Sequence, residues 1–598
     1  MYLRNFLDNK LIEGVLKIGG VLVAVVGFLI SLYLWHSSFF TVYELFLSLF
    51  SSAVLFYFAL NMKNGTDKID ILLKAICAIA VGVSAYSILT FGQTFVHSDV
   101  ATATLLAQSQ LRTHSLFPAT WNYVNGDVWV IAINLFTLPF TAFMKDQPLA
   151  RELGSLVFVL VTVFFIYLFN RFYLQSKAWL FSIPFFLLFL SGSLDFTLYQ
   201  AAYTGQMIWL LLSVWFSYEM MYGKRKGRAF VFYSVVSFLT ILGGMRAVAV
   251  QTLPIIAAMG ACLCLKYYRV EEKSIDIKSI VSNGMKNLLL IFPSSIVGII
   301  GYKMICSTHT IQTGRSRLAI VRSVRQMIRL VIAYLDGLFG CFGYTSFGMV
   351  ISEYGLRNIV TISSTVILIF IIPILQFKNW KKENDKIHFL LLFTVFHAVE
   401  MFILFVFFDK SEPRYLLTTI FLLLIISARY IYEYWIKNLF HQKKLVIALY
   451  SFAVLIFVVS LTYSNREWKN NLAEKKALSQ ALVDRGLTKG YAGSYWDAYN
   501  NEVYSDLKLK VGAVSLGTKG AMPYRWLVDD KAFEPIDGIK SFLIIKKKDN
   551  PLISSKLEQF FGHTTDHFVV KSYHIYVWDY DISEKFVDDV GEIIVNVE

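Results

Sequence analysis

Apolar segments of about 20 residues alternate with short polar clusters along the first three quarters of the chain. A helix needs about 20 apolar residues to cross the hydrocarbon core of a bilayer. The pattern therefore predicts a polytopic α-helical membrane protein in which residues 1–463 form a transmembrane module of about 13 helices. The predicted spans lie near residues 18–35, 43–60, 75–91, 153–170, 178–191, 205–222, 229–245, 248–265, 287–306, 357–377, 388–408, 415–435 and 445–463.

The pattern changes at residue 464. A polar, lysine-rich helical pattern runs from Asn465 to Asp484, and the segments "SFLIIKKK" and "FVVKSYHIYVWDY" read as strands. Residues 464–598 are therefore predicted to form a small soluble α/β domain.

Composition and charge placement set the orientation. The chain is 56% hydrophobic and 16% charged, with a formal net charge of +14. Its basic clusters at 224–228 and 378–386 lie between predicted spans, which positive-inside sorting explains better than nucleic-acid binding does. This places two large loops, about 92–150 and 307–352, and the C-terminal domain outside the cytoplasm. We expect an integral protein of a bacterial cytoplasmic (inner) membrane.

The first external loop carries the main candidate residues. In "GQTFVHSDVATATLLAQSQLR" an amphipathic helix is predicted from Asp99 to Arg112, with His97 just before it. Asp99 has two interpretations: a helix-capping carboxylate, or a functional acid at the membrane boundary, where a charge is costly to keep. Asp127 is interpreted in the same way, as a turn residue or as part of a site. The apolar element from Val128 to Met144 is expected to lie at the interface, with a further span as the alternative.

Arginines also collect at predicted external span ends. Arg246 lies in "LGGMRAVAVQTLP" and Arg414 in "FFDKSEPRYLL". Guanidinium groups match phosphate oxygens in geometry, so a cradle for a lipid-linked phosphate is one interpretation. The alternatives are an interfacial helix on anionic headgroups and, for Arg414, a salt bridge to Glu412. The arginines of the loop 307–352 are Arg315, Arg317, Arg322, Arg325 and Arg329, and the last three are spaced as a basic stripe on one helix.

Other function classes have less support. The chain has no Walker loop, GxSxG or HExxH motif, so ATP-driven transport and serine or zinc hydrolysis lack their usual signatures. His397 and Glu400 share a helical face within a predicted span. They suggest a buried polar network, or a proton path in a secondary transporter or lipid-linked sugar flippase. A membrane assembly factor whose C-terminal domain binds a partner protein is a third alternative.

Four segments together resemble a known superfamily: "HSDVATATLLAQSQLRTHSLFPATWNY", "LGGMRAVAVQTLP", "EPRYLL" before a late span, and "GYAGSYWDAY" in the C-terminal domain. They are similar to the GT-C superfamily of polyprenyl-phosphate-sugar-dependent membrane glycosyltransferases, particularly bacterial members with an extracytoplasmic C-terminal domain. Many members carry two adjacent acids in the first external loop, whereas this chain has Ser98 and Asp99 there. Their loop usually follows the first span, whereas here it follows the third.

The resemblance implies a hexosyltransferase with a lipid-phosphate-sugar donor, for which Asp99 is the catalytic residue. Its acceptor would be a hydroxyl group on a glycan, lipid or protein. Removing the proton of that hydroxyl needs one base, and the departing phosphate needs cations. Arg246, Arg315, Arg317 and Arg414 are the predicted phosphate ligands, while His97, Trp121, Tyr123 and Asp127 are candidate sugar or acceptor contacts. A divalent cation remains an open alternative, and no other cofactor is predicted.

Overall fold

The computed structural model describes residues 66–270, 282, 286, 289–312, 320–344, 353–408, 412–437, 443–463, 468–595 and 597. The predicted spans near 18–35 and 43–60 and the residues Arg315 and Arg317 lie outside the described residues.

Long apolar helices make up the first part of the described chain. Among the described residues, eight are long and apolar enough to cross a membrane. These candidate spans are Ile69–Phe95, Gln147–Tyr173, Val248–Leu265, Leu289–Thr308, Arg357–Lys378, Asp385–Phe407, Pro413–Ile436 and Lys444–Leu461. The predicted fold class, a polytopic helical membrane protein followed by a sheet domain, is confirmed, although the count of 13 spans is not tested.

Three further predicted spans are helical but do not belong to this set. The segment near 178–191 is a shorter apolar helix, Trp179–Phe189, and the other two are Thr204–Tyr222 and Lys226–Leu242. The bundle and its external loops comprise α1 (Thr66–Phe91), α2 (Ser98–Thr113), α3 (Ile133–Phe143), α4 (Gln147–Leu168), α5 (Trp179–Pro184), α6 (Thr204–Tyr222), α7 (Lys226–Leu242), α8 (Leu253–Val270), α9 (Ile291–Thr308), α10 (Val324–Cys341), α11 (Glu353–Thr365), α12 (Ile372–Lys378), α13 (Asp385–Phe407), α14 (Leu417–Tyr430) and α15 (Lys443–Tyr463).

The first external loop is folded. Helix α2 matches the predicted helix from Asp99 to Arg112 within a residue at each end, and it ends at His114 in a left-handed conformation with φ 51°. Helix α3 has 11 residues, which is too short to cross a bilayer, so the element from Val128 to Met144 is not a span. Strands β1 (Tyr123–Val124) and β2 (Ile311–Gln312) pair in parallel and join this loop to the segment that follows α9.

The C-terminal domain is a mixed sheet with helices against it. It contains α16 (Trp468–Asp484), β3 (Lys489–Ala492), α17 (Tyr499–Tyr504), β4 (Lys510–Gly517), β5 (Ala521–Pro523), β6 (Ser541–Lys546), α18 (Asn550–Phe561), β7 (Asp566–Val570), β8 (Tyr573–Trp578) and β9 (Ile593–Val595). The strand order is β5-β4-β3-β6-β8-β7, with β9 beside β4. The central strand β3 is parallel to β4 and β6, and the outer pairs are antiparallel. The strands predicted from "SFLIIKKK" and "FVVKSYHIYVWDY" are β6, β7 and β8.

One hydrophobic core joins the first external loop to the C-terminal domain. Val100 and Leu106 of α2 pack in the same cluster as Tyr495 and Tyr499 from the segment around α17. Polar contacts reinforce this junction, since Asp529 accepts hydrogen bonds from Ser109 and Arg112 of α2. The loop and the C-terminal domain therefore hold each other in place at one end of the bundle.

Candidate functional site

Asp99 lies in the first turn of α2 and is half-buried. Its Oδ1 accepts a hydrogen bond from the hydroxyl of Tyr495, a residue of the C-terminal domain. Burial and the neighbouring Asp99 carboxylate raise the pKa of Tyr495 well above its ordinary value, so this phenol remains a hydrogen-bond donor. Ser98 adds a second link, because its hydroxyl donates to the backbone oxygen of Tyr495. The position of Asp99 is thus fixed from both parts of the chain.

Two predicted phosphate ligands meet at one aromatic ring. The guanidinium carbons of Arg246 and Arg414 lie 5.7 Å and 5.8 Å from the centre of the Tyr415 ring. Arg414 also lies 5.5 Å from the centre of the Phe196 ring, and Tyr203 contacts both Phe196 and Tyr415. Aromatic faces attract guanidinium groups and leave their N–H edges available for other ligands.

Arg414 connects this arginine pair to Asp99. The Asp99 carboxylate is close enough to Arg414 to interact with it electrostatically. The Nε of Arg414 is buried and has no hydrogen-bond partner among the described residues, and Oε2 of Glu412 stands 3.9 Å from it. The predicted bridge between Glu412 and Arg414 is therefore present as a long ion pair that leaves a buried donor unsatisfied, which is a favourable setting for an anionic ligand.

Asp127 holds Arg246. Its Oδ2 lies 3.1 Å from Nη2 of Arg246, and both side chains are about one-third exposed. The turn that carries Asp127 packs tightly on the "LGG" segment, because a Cβ on Gly244 would stand 2.9 Å from Oδ1 of Asp127. Gly244 has φ +158° as well, so the close approach and the backbone both require glycine there. Asp127 thus pairs with a predicted phosphate ligand, and its expected contact with a sugar or acceptor stays a prediction.

His97 faces Asp195. Its Nε2 lies 3.2 Å from Oδ2 of Asp195, and its ring meets that of Trp496 edge-on at 5.6 Å between centres. Asp195 is the first residue of a π-helical turn, Asp195–Tyr199. The second residue of this turn, Phe196, has its ring beneath the guanidinium group of Arg414. This turn therefore connects the histidine side of the site to the arginine side.

A buried arginine links helix α2 to the π-helical turn Asp195–Tyr199. Arg151 of α4 is fully buried and donates hydrogen bonds to the backbone oxygens of Val100 in α2 and Tyr199 in the π-helical turn. Sequence reasoning missed Arg151 and Asp195, because one is near the start of an apolar span and the other is in a short connection. The local signal for Asp195 was only an acid between two predicted spans at the external side.

The two predicted aromatic sugar contacts require correction. Trp121 is 2% exposed and Tyr123 is fully buried. Trp121 pairs through its backbone with Asp529, and Tyr123 lies in β1 against His309. Both rings belong to the core between the loop and the C-terminal domain, so neither presents a face to a sugar.

The remaining candidates lie apart from this group. The basic stripe was expected to place Arg322, Arg325 and Arg329 on one helix. Helix α10 begins at Val324, after its N-cap Ser323, so Arg322 lies before the helix. Arg325 and Arg329 lie on the helix and are exposed. His397 forms a hydrogen bond with Thr419, in which its Nδ1 lies 3.0 Å from Oγ1 of the threonine. Within the described residues it forms no ion pair with Glu400, so the predicted His397 to Glu400 pair is not observed.

The acids and histidines around Asp99 are the groups that could bind a divalent cation. In the described ranges, no three His, Cys, Asp or Glu side chains converge so as to hold a metal ion. Asp195 and His97 contact each other, whereas Asp99 is bound by Tyr495, so these donors do not form one ligand set. Whether a divalent cation takes part stays an open alternative.

These features define an integral membrane protein with a carboxylate, two arginines and aromatic rings at the end of its bundle, beneath a C-terminal α/β domain. No protein-family profile matches the chain, and no curated protein sequence matches it. The chain is similar to the crystal structure of ArnT from Cupriavidus metallidurans bound to undecaprenyl phosphate, with 11% identity over 84% of this chain and 97% of that one, and a TM-score of 0.49. The structure of the same protein in the apo state gives 10% identity, the same coverage and a TM-score of 0.48.

Proposed function

We propose that the protein is an inverting glycosyltransferase that moves a sugar from a polyprenyl-phosphate carrier to a hydroxyl acceptor at the extracytoplasmic face of the membrane. The acceptor would be a cell-envelope glycan, a glycolipid or a protein. One observation carries the proposal: a carboxylate that accepts a hydrogen bond from a tyrosine interacts electrostatically with Arg414, and Arg414 shares the Tyr415 ring with Arg246.

Each group has one task in the reaction. Arg246 and Arg414 would bind the phosphate of the carrier, whose polyprenyl chain lies in the bilayer. The acceptor oxygen would attack the anomeric carbon as the bond from that carbon to the phosphate oxygen breaks, and the phosphate would leave with the electron pair. Asp99 would take the acceptor proton on Oδ2, since Oδ1 accepts the Tyr495 hydrogen bond. A single displacement with one base inverts the anomeric configuration.

The test compares Asp99→Asn with wild type. Purified protein receives a polyprenyl phosphate that carries a radiolabelled hexose, with cell-envelope extract as acceptor. Wild type should form labelled product, and Asp99→Asn should not. Asp146→Asn is the matched control: Asp146 is an exposed carboxylate of the same loop that caps α4, and asparagine caps equally well.

Donor binding is measured separately, as the rise in melting temperature caused by polyprenyl phosphate. It should be retained in Asp99→Asn. Normal turnover in Asp99→Asn would refute the mechanism. Movement of the lipid-linked sugar across reconstituted liposomes, with no new glycosidic bond, would instead support the transporter or flippase alternative.

A further inference from the structure

A cleft lies between residues 94–97 of the first external loop and part of the C-terminal domain. It has a volume of about 570 Å³, within the range of small-molecule sites, and Phe95, His97, Trp468, Lys475, Trp496 and Tyr573 are among its lining residues. We call it the interdomain cleft. The Tyr504 hydroxyl, at 2.8 Å from the backbone oxygen of Gln93, ties the two walls together.

The lining of the interdomain cleft combines aromatic rings with balanced polar groups. Trp496 is 43% exposed and lines the cleft, so its indole is accessible to a ligand there. Asn471 and Asn500 supply side-chain amides, and the charges balance because the lining holds two acids and two lysines, Glu474, Asp497, Lys475 and Lys571. An anion would need a net positive lining, and a lipid tail would need an apolar one. A neutral, hydroxyl-rich ring that stacks on an indole and hydrogen-bonds to amides suits this lining best.

Two lining residues of the cleft, His97 and Trp496, are close in sequence to Asp99 and to its partner Tyr495. Trp496 follows Tyr495, whose hydroxyl contacts Asp99, and the imidazole of His97 contacts the Trp496 ring. Arg246, Arg414 and the Tyr415 ring that they share do not line the cleft. The groups suited to a phosphate and the groups suited to a sugar are therefore two separate sets of residues, and each set has a member that interacts with Asp99 or adjoins a residue that does.

We propose that the interdomain cleft binds the acceptor and that this acceptor is a saccharide, with Trp496 as its stacking surface. The assignment rests on the proposed glycosyl transfer for its role, but saccharide binding can be measured without it. Asp497 is excluded as a free ligand group, because it is paired with Lys546 at 2.8 Å and accepts a hydrogen bond from Tyr573 at 2.9 Å. Asn500 is half-buried at the cleft and is the better candidate for a direct contact.

The experiment measures saccharide binding to the full chain in lipid nanodiscs. The probes are the methyl glycosides of glucose, mannose, galactose and N-acetylglucosamine and their β-linked disaccharides, followed by saturation-transfer NMR and calorimetric titration. At least one probe should bind wild type, and Trp496→Ala should weaken its binding about tenfold. Trp496→Phe retains a ring and should recover part of the affinity. Asn500→Ala tests the same cleft without removing an aromatic ring.

Leu552→Ala is the control, since Leu552 is 55% exposed on α18 of the same domain and does not line the cleft. With an active acceptor, Trp496→Ala should raise the KM for acceptor and leave the KM for donor unchanged. Binding of no probe to wild type, or equal binding by wild type, Trp496→Ala and Asn500→Ala, would overturn the inference. Binding that depends on Trp496 but without sugar transfer would support the cleft and count against the proposed function. Sugar transfer that Trp496→Ala and Asn500→Ala leave unchanged would support the proposed function and count against the cleft as the acceptor site.

Discussion

The hydrogen bond from Tyr495 to Asp99 allows a sharp test of the site. Tyr495 is 3% exposed, and the substitution Tyr495→Phe removes its hydroxyl while keeping the ring in the core. A hydrogen bond to a charged acceptor contributes about 1.5–3 kcal/mol. If this energy holds the carboxylate where it meets the acceptor hydroxyl, its loss should lower kcat between about tenfold and a hundredfold. The KM for donor should stay unchanged, because the arginines are untouched.

Tyr491 provides the matched control. Tyr491 is a residue of β3 in the same domain and is fully buried. Its hydroxyl donates a hydrogen bond to Asp581 at 2.8 Å and not to Asp99. Tyr491→Phe and Tyr495→Phe should therefore lose similar stability in thermal unfolding followed by tryptophan fluorescence. Only Tyr495→Phe should slow single-turnover transfer of labelled hexose. An unchanged kcat in Tyr495→Phe, or an equal loss in both variants, would refute a positioning role for this hydrogen bond.

Three further outcomes follow from the same contacts. Arg246→Ala should raise the KM for donor with a smaller effect on kcat, whereas Arg485→Ala, which removes an exposed arginine stacked on Phe568, should change neither in the same transfer assay. Glu502 is buried, and its burial raises its pKa from about 4.5 to about 7. The folded chain thus holds this proton more tightly than the unfolded chain, so stability should fall as pH rises from about 4.5 to about 7 and then level off. Glu502→Gln should flatten this fall in unfolding temperatures measured at pH 5 and pH 8. Asp529→Ala removes the acceptor of Ser109 and Arg112 and should speed proteolysis at the junction, while Asp589→Ala, at an exposed ion pair with Lys519, should not.

Much of the bundle is predictable from the sequence because a bilayer imposes a simple length and polarity rule. The same rule predicts that Asp99, Arg246 and Arg414 lie near one end of the bundle. Each follows or precedes an apolar run at the same predicted side of the membrane. The spacing of apolar runs thus predicts which end of the bundle each residue lies at, and the packing of the helices decides which of these residues are in contact.

Lateral contacts are where sequence reasoning fails. The pairing of Arg246 with Asp127 depends on a tight approach between two loops at Gly244, which no hydrophobic period encodes. Trp121 and Tyr123 were expected to face a sugar because aromatic residues are common at membrane interfaces. They are buried instead because the C-terminal domain covers them, and the docking of a domain more than 300 residues away leaves no mark in their own segment.

The same docking changes what a deletion can reveal. Tyr495 lies 396 positions after Asp99, and the shared core places its hydroxyl on the carboxylate. Loss of function after removal of the C-terminal domain would suit an assembly factor whose domain binds a partner, but a transferase would lose Tyr495, Trp496 and the cover of its core in the same step. A deletion therefore does not separate the two functions, whereas Tyr495→Phe does. A single oxygen removed from a buried ring leaves every partner-facing surface in place, so a loss of transfer in Tyr495→Phe that Tyr491→Phe does not share is assigned to Asp99.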